Sequence, residues 1–229
     1  VKSPEIRTVR EAAEFRAGAK GGGMMVGYAA KFNKTSRNLG GFVEQLAPSA
    51  FNKSLADGVR VMARYNHEAL LGTTDAGTLR LSVDDIGLRY EIDMPDTTTG
   101  RDVSVLASRG DVRFSSFAFH VHADGDEWGY TDNDFPLRTL RSVQLVDIAP
   151  VDDPAYLDTE AGLRSLADSC GLDLAEVRSF AARNDLRALL KKDLEAPAAE
   201  ESQTPTAEQD DRSALDVARR RLELLRVPR

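Results

Sequence analysis

From about Glu5 to Tyr156, apolar and polar residues alternate with a period of two, and the alternation is cut at short intervals by Gly, Asp and Asn. Such a pattern sends every second side chain to the same face of an extended strand, so it commits the chain to short strands of a mostly antiparallel β domain. Val59, Val61, Ala63 and Tyr65 alternate with Arg60, Met62 and Arg64. Leu79, Leu81 and Val83 alternate with Arg80 and Ser82. Asp84-Asp85-Ile86-Gly87 then supplies a turn before Leu88, Tyr90, Ile92 and Met94 resume the alternation, a hairpin signature. Two helices interrupt the strands. One is expected from about Pro48 to Ala56, with Pro at its start and Gly58 past its end. The other is expected from about Gly100 to Ser108, stopped by Gly110. The expected class is mostly β with packed helices, α+β.

After Tyr156 Gly becomes scarce, and Ala, Leu, Asp, Glu and Arg follow helical spacing. Asp173 and Glu176 form a capping-box pattern ahead of the stripe Leu174, Val177, Ala181, Leu186, Leu189 and Leu190. The organisation expected is a β domain over 5–160, a helical extension over 161–194, a flexible acidic linker over 195–211 and an amphipathic helix over 212–229. The linker carries Glu195, Glu200, Glu201, Glu208, Asp210 and Asp211 with no Lys or Arg, too polar to bury a core. The last helix places Leu215, Ala218, Leu222 and Leu225 on one face and Arg219, Arg220 and Arg221 on the other. At that length it needs a partner to be stable.

A net charge of -7 argues against a direct nucleic-acid role, which needs clustered Lys and Arg. No run of 18 apolar residues exists to span a membrane. Val1 to Ala19 lack the continuous apolar stretch of a secretion signal, so none is expected. The single cysteine, Cys170, suits a reducing compartment and reads as a small apolar residue of a helix. No G-x-S-x-G elbow, phosphate loop, H-E-x-x-H helix or calcium loop occurs, so neither metal nor cofactor is expected.

Any histidine chemistry must choose among His67, His120 and His122. His67 stands at a strand end, where a side chain can face a cleft; an exposed loop histidine fits the same residues. Ser116 lies in Phe114-Ser115-Ser116-Phe117-Ala118-Phe119, where Phe117, Phe119 and Val121 share one strand face and Ser116 and Ala118 the other. It could be a nucleophile on a cleft floor or a small residue filling a tight place in a sheet. His120 and His122 follow Ser116 by about 13 and 20 Å along one strand, too far to act as its base, and belong to a polar sheet face. Asp147 interrupts Val143, Leu145, Val146, Ile148 and Ala149; a carboxylate in such a run needs a partner. Asp152 and Asp153 sit by Pro154 in a turn and are expected to be solvated.

Taken in order, these segments resemble the prohead protease family of tailed phages. Gly27-Tyr28-Ala29-Ala30-Lys31-Phe32-Asn33 is similar to its G-Y-A-x-x-F-N strand, and Glu44 to Phe51 to its E-x-x-x-P-G-A-F segment. His67 with Leu71-Gly72 matches H-x-x-x-x-L-G, and Ser116-Phe117-Ala118-Phe119 resembles S-F-G-F. Leu145 to Val151 with Pro154-Ala155-Tyr156 resembles L-x-E-V-S-L-V followed by P-A-Y, with Asp147 in place of Glu. The resemblance implies a protease domain with a β barrel like that of herpesvirus assembly proteases, and catalytic residues in the order His67, Ser116, Asp147.

It further implies a serine endopeptidase of capsid maturation in which His67 takes the Ser116 proton, Asp147 fixes the imidazole and backbone N–H groups form the oxyanion hole. The implied partners are the scaffolding segment of the major capsid protein, a scaffold protein and other copies of itself. The implied location is the host bacterial cytoplasm, inside assembling proheads. Rival expectations are a catalytically silent scaffold or assembly chaperone that keeps the fold, and a β-barrel binding module whose Ser and His are structural.

Overall fold

The computed structural model describes residues 3–9, 14–17, 23–153 and 159–195. The linker and terminal helix expected over 195–211 and 212–229 lie, except for Glu195, outside the described residues. The strands are β1 (Glu5–Val9), β2 (Glu14–Ala17), β3 (Gly23–Lys31) and β4 (Val43–Leu46), followed after helix α1 (Asn52–Ala56) by β5 (Met62–Tyr65), β6 (Ala69–Thr73), β7 (Leu79–Val83) and β8 (Gly87–Asp93). Helix α2 (Thr98–Arg109) leads to β9 (Phe114–Val121), β10 (Asp126–Tyr130), β11 (Pro136–Leu140) and β12 (Val143–Val151). Helices α3 (Thr159–Cys170), α4 (Leu174–Ala182) and α5 (Leu186–Glu195) complete the described part.

The strands form three sheets, ordered β1-β9-β12-β5-β6, β10-β11-β4 and β2-β3-β8-β7. All are open, and no closed barrel forms among the described residues. Pairing is antiparallel except for β12 with β5 and β11 with β4, which are parallel. β9 and β12 lie in the interior of the first sheet. One face of that sheet presents Phe117, Phe119, Leu145, Ile148 and Ala63 to the main core. Phe117 stacks on Phe119 at 5.1 Å and meets Phe51 edge-on at 5.7 Å. Each fully buried side chain of this size contributes roughly 1.5–3 kcal/mol, enough to fix which face of β9 points inward.

The expected hairpin is β7–β8, paired antiparallel from Leu79↔Ile92 to Val83↔Leu88. α2 begins at Thr98, two residues earlier than its pattern suggested, because the Thr97 side chain accepts from Gly100 N; it ends at left-handed Gly110 as expected. α1 is shorter than expected. Bonds from Ala50 N to Ala47 O and from Asn52 N to Ser49 O close tight turns ahead of it, so the helix starts only at Asn52. Helices α3–α5 bury Leu163, Leu166, Val177, Leu186, Leu189 and Leu190 with Leu39 and Phe42 in a second core edged by Trp128. Asp173 caps α4 by accepting from Ala175 N at 2.7 Å.

Candidate active site

The inward pull of Phe117 and Phe119 separates two adjacent serines of β9. Ser115 shares their face and meets the buried Tyr90 hydroxyl at 2.9 Å. Tyr90 needs room for its ring, and Gly27 provides it: a Cβ there would stand 2.6 Å from the Tyr90 oxygen. Ser116 turns to the opposite face with Ala118, between Thr8 of β1 and Ala149 of β12.

His67 reaches that face from the turn between β5 and β6. Asn66 and His67 both have positive φ, 52° and 61°, and Glu68 N bonds Tyr65 O at 3.0 Å, which makes this a type I′ turn. Asn tolerates the left-handed region well, whereas a left-handed His is uncommon and holds only where its surroundings enforce it. Here they do. Asn66 N donates to Pro150 O at 3.1 Å, Asp152 N donates to the Asn66 side chain at 3.3 Å, and the Tyr65 hydroxyl donates to Asp152 at 2.9 Å. The turn is thereby tied to the end of β12, the strand that carries Asp147.

Asp147 faces the same way because β12 is irregular. Leu145 pairs with Phe119 and points into the core, and strict alternation would send Asp147 after it. Instead the register against β9 shifts between Leu145 and Asp147, so Val146 is an extra, bulged residue. The bulge turns Asp147 to the Ser116 face and returns Ile148 to the core, a common use of bulges near reactive groups.

The three side chains meet in one line. His67 Nδ1 is 2.6 Å from Asp147 Oδ1, and His67 Nε2 is 2.7 Å from Ser116 Oγ. A carboxylate against Nδ1 favours the tautomer with its proton on that nitrogen, leaving a lone pair on Nε2 toward the serine. Ser116 is 0% exposed, and the His67 and Asp147 side chains are 15% and 9% exposed. The serine oxygen has two further neighbours on β1: it donates to Arg7 O at 3.0 Å and accepts from the Thr8 hydroxyl at 3.4 Å. One hydroxyl proton therefore has two acceptors, Arg7 O and His67 Nε2. When Nε2 carries a lone pair, the shorter contact is to His67.

The remaining candidates lie elsewhere. His120 and His122 line a separate cavity of about 470 Å³ with Glu5, Arg138, Arg164 and Asp168, and none of Ser116, His67 and Asp147 borders it. Asp153 is exposed, as expected. Asp152 is exposed too, as expected, and in addition accepts from the Tyr65 hydroxyl and donates its backbone N–H to the Asn66 side chain. Partial burial opposes its charge, yet the hydrogen bonds from Tyr65 and Asn66 hold its carboxyl below the usual carboxylate range. No group of three or more His, Cys, Asp or Glu among the described residues is arranged to hold a metal. Thr8 carried no signal in the sequence, being one β-prone residue in a strand of them. Asn66-His67 did carry one, since Asn opening a two-residue turn between strands marks a type I′ hairpin.

No curated protein matches the chain. Among solved structures it is similar to the capsid assembly protease of bacteriophage T4, gp21, at 10% identity and a TM-score of 0.42, over 67% of this chain and 100% of that one. The model of the Caudovirus prohead serine protease family matches residues 9–169, a span that takes in the turn of His67, the strand of Ser116 and the bulge of Asp147. The chain belongs to that family of phage prohead proteases.

Proposed function

We propose that this chain is a serine endopeptidase of phage or prophage capsid maturation in which Ser116 is the nucleophile, His67 the general base and then acid, and Asp147 the group that orients the imidazole. The observation that carries this reading is the single imidazole bonded at both nitrogens, to a carboxylate at 2.6 Å and to a serine oxygen at 2.7 Å. As Ser116 Oγ attacks a peptide carbonyl, its proton passes to Nε2 and the carbonyl π pair moves to oxygen. Return of that pair breaks the C–N bond while Nε2–H protonates the leaving amine. Water then repeats the sequence on the acyl-enzyme. Asp147 stabilises the imidazolium throughout. Ser116 is covered, lying between the partly exposed Thr8 hydroxyl and the His67 ring.

Its substrates in this reading are the scaffolding segment of the capsid protein, a scaffold protein and other copies of the chain, met inside assembling proheads in the host bacterial cytoplasm. Confinement there raises effective concentration without any new contact. Residues 5–160 form the catalytic domain. The helices over 162–194 close the second core. With the rest of the tail to Arg229 they form the address that packages the enzyme, and the enzyme itself trims that tail in the acidic stretch 195–211. The three open sheets are read as relatives of the herpesvirus assembly protease barrel, on the shared chain order His, Ser, third residue.

A fluorophosphonate probe tests the reading on the full chain. Wild type should label and Ser116→Ala should not. Equal labelling of both, or none of either, sinks it, and the second result favours the silent scaffold. Intact-mass measurement over time tests the trimming: wild type should lose a fragment containing Leu215 to Arg229 and Ser116→Ala should keep it.

A further inference from the structure

We infer that the Thr8 hydroxyl is a catalytic oxyanion-hole donor, an assignment that rests on Ser116 being the nucleophile. A serine peptidase needs hydrogen-bond donors aimed at the oxygen on which charge develops, and the nucleophile's own backbone N–H often serves. Here β9 is paired on both sides, with β1 and with β12. The backbone groups of Ser116 are thus engaged in ladders, and the hole must draw on other donors.

Thr8 lies directly opposite Ser116 in the β1–β9 register, on the same sheet face, and its hydroxyl is 3.4 Å from Ser116 Oγ. In the tetrahedral intermediate the oxyanion and Oγ share one carbon, so a donor just beyond 3 Å from Oγ can swing to about 2.7–3.1 Å from the new charge. The bond it makes to the resting serine is long and weak. Once Oγ is acylated it becomes a poor acceptor, and the oxyanion is the strongest acceptor in reach. The interaction therefore strengthens in the transition state, which is the condition for accelerating the reaction. Arg7 O, 3.0 Å from Oγ, would repel the charge and so leaves the Thr8 side as its place.

The donor is also held in position. Arg7 Nε and Nη2 donate to Glu44 at 2.7 and 2.9 Å, and Nη2 reaches Glu5 at 2.8 Å, so the strand carrying Thr8 is fixed by buried ion pairs.

The test measures second-order fluorophosphonate labelling of the full chain across pH, since the phosphoryl oxygen of that adduct occupies the oxyanion position. Val replaces Thr with the same shape and keeps strand preference. Thr8→Val should lower the labelling plateau on the order of 100-fold with an unchanged pH midpoint, and Thr8→Ser should recover most of the rate. Thr8→Ala should match Thr8→Val, which keeps the inference exposed should the Val protein not fold. A wild-type rate in Thr8→Val, a Ser variant as slow as Val, or a shifted midpoint overturns the assignment. Loss of labelling in Ser116→Ala with full labelling in Thr8→Val defeats this inference alone, whereas labelling of Ser116→Ala defeats the reading beneath it.

Discussion

Two buried polar clusters sit on opposite faces of the same sheet and share one residue. On the core side, Arg138 donates to Glu5, Glu44 and Asp126 at 2.6–3.0 Å, and Arg7 donates to Glu5 and Glu44. Burial works against the Arg138 charge, but the surrounding carboxylates more than offset it and its pKa is raised. On the other face, Ser116, His67 and Asp147 make a chain in which one hydroxyl proton has two acceptors. The first cluster is closed, with each guanidinium held by several carboxylate oxygens, and it locks β1, β4 and β11 together. The second is left with a proton that can move. Arg7 belongs to both, its side chain in the first and its carbonyl in the second. Closure serves rigidity, and an unsettled proton next to a rigid frame is what acid–base chemistry requires.

The comparison is sharpest when each cluster is cut separately. Ser116→Ala should reduce turnover by about a million-fold while leaving the thermal midpoint near that of wild type, because one small buried hydroxyl is lost. Asp147→Asn should fall by about 100- to 10,000-fold, less than His67→Ala, since an imidazole lacking its carboxylate can still act as a base. Single-turnover rates on a scaffold-derived peptide separate the three. Unchanged activity in Asp147→Asn would move the orienting role to another residue.

Arg138→Met should do the reverse. It leaves Glu5 and Glu44 buried with fewer partners and should cost about 3–5 kcal/mol in denaturant unfolding, with turnover per folded molecule retained. Arg7→Met should lower both quantities, because it loosens the strand whose carbonyl and hydroxyl touch Ser116. If Arg7→Met altered stability alone, the two clusters would be neighbours without being coupled.

The neighbouring serine gives a milder contrast. Ser115→Ala leaves the fully buried Tyr90 hydroxyl without its partner, and should cost about 1–3 kcal/mol while turnover stays near wild type. Burial has raised the Tyr90 pKa to about 12 against the effect of Ser115, so this hydroxyl stays neutral at ordinary pH. A large loss of turnover with stability intact would mean that the faces of β9 were assigned the wrong way round.

Much of this was legible in the residues, for stated physical reasons. The alternation Phe117, Phe119 against Ser116, Ala118 fixed the face of β9, because aromatic burial is the strongest local preference in that strand. The need of Asp147 for a partner was visible in its apolar surroundings. Its direction was not, since a bulge at Val146 breaks the very period on which such a reading depends. Parallel pairing of β12 with β5, which brings the turn of His67 beside Asp147, joins segments some 80 residues apart and leaves no local mark. The same holds for Thr8, which is 108 residues from Ser116 and acquires meaning only through register. Asp152 reads as a solvated turn residue and is one, but its bond to Tyr65, 87 residues away, leaves no mark in the sequence.

That last residue carries the smallest expected effect. Asp152 stands outside the line of three side chains, yet through Tyr65 and Asn66 it holds the turn that keeps His67 in a left-handed conformation. Its folded pKa lies below the unfolded value, so the stability it adds is present above the unfolded carboxylate pKa and is lost as pH falls through the folded one. The group is largely exposed, so water and salt screen most of the interaction and the change is modest. Asp152→Asn should therefore lower the thermal midpoint slightly at neutral pH and flatten its fall between about pH 5 and pH 3. Turnover should drop only a few-fold, through occasional departure of His67 from its place. A variant that kept the wild-type acid slope would show that the turn is held by the bonds from Asn66 N to Pro150 O and from Asp152 N to the Asn66 side chain, without the carboxylate. A variant as inactive as His67→Ala would instead move Asp152 into the reacting group and break the division between the part of the molecule that holds and the part that reacts.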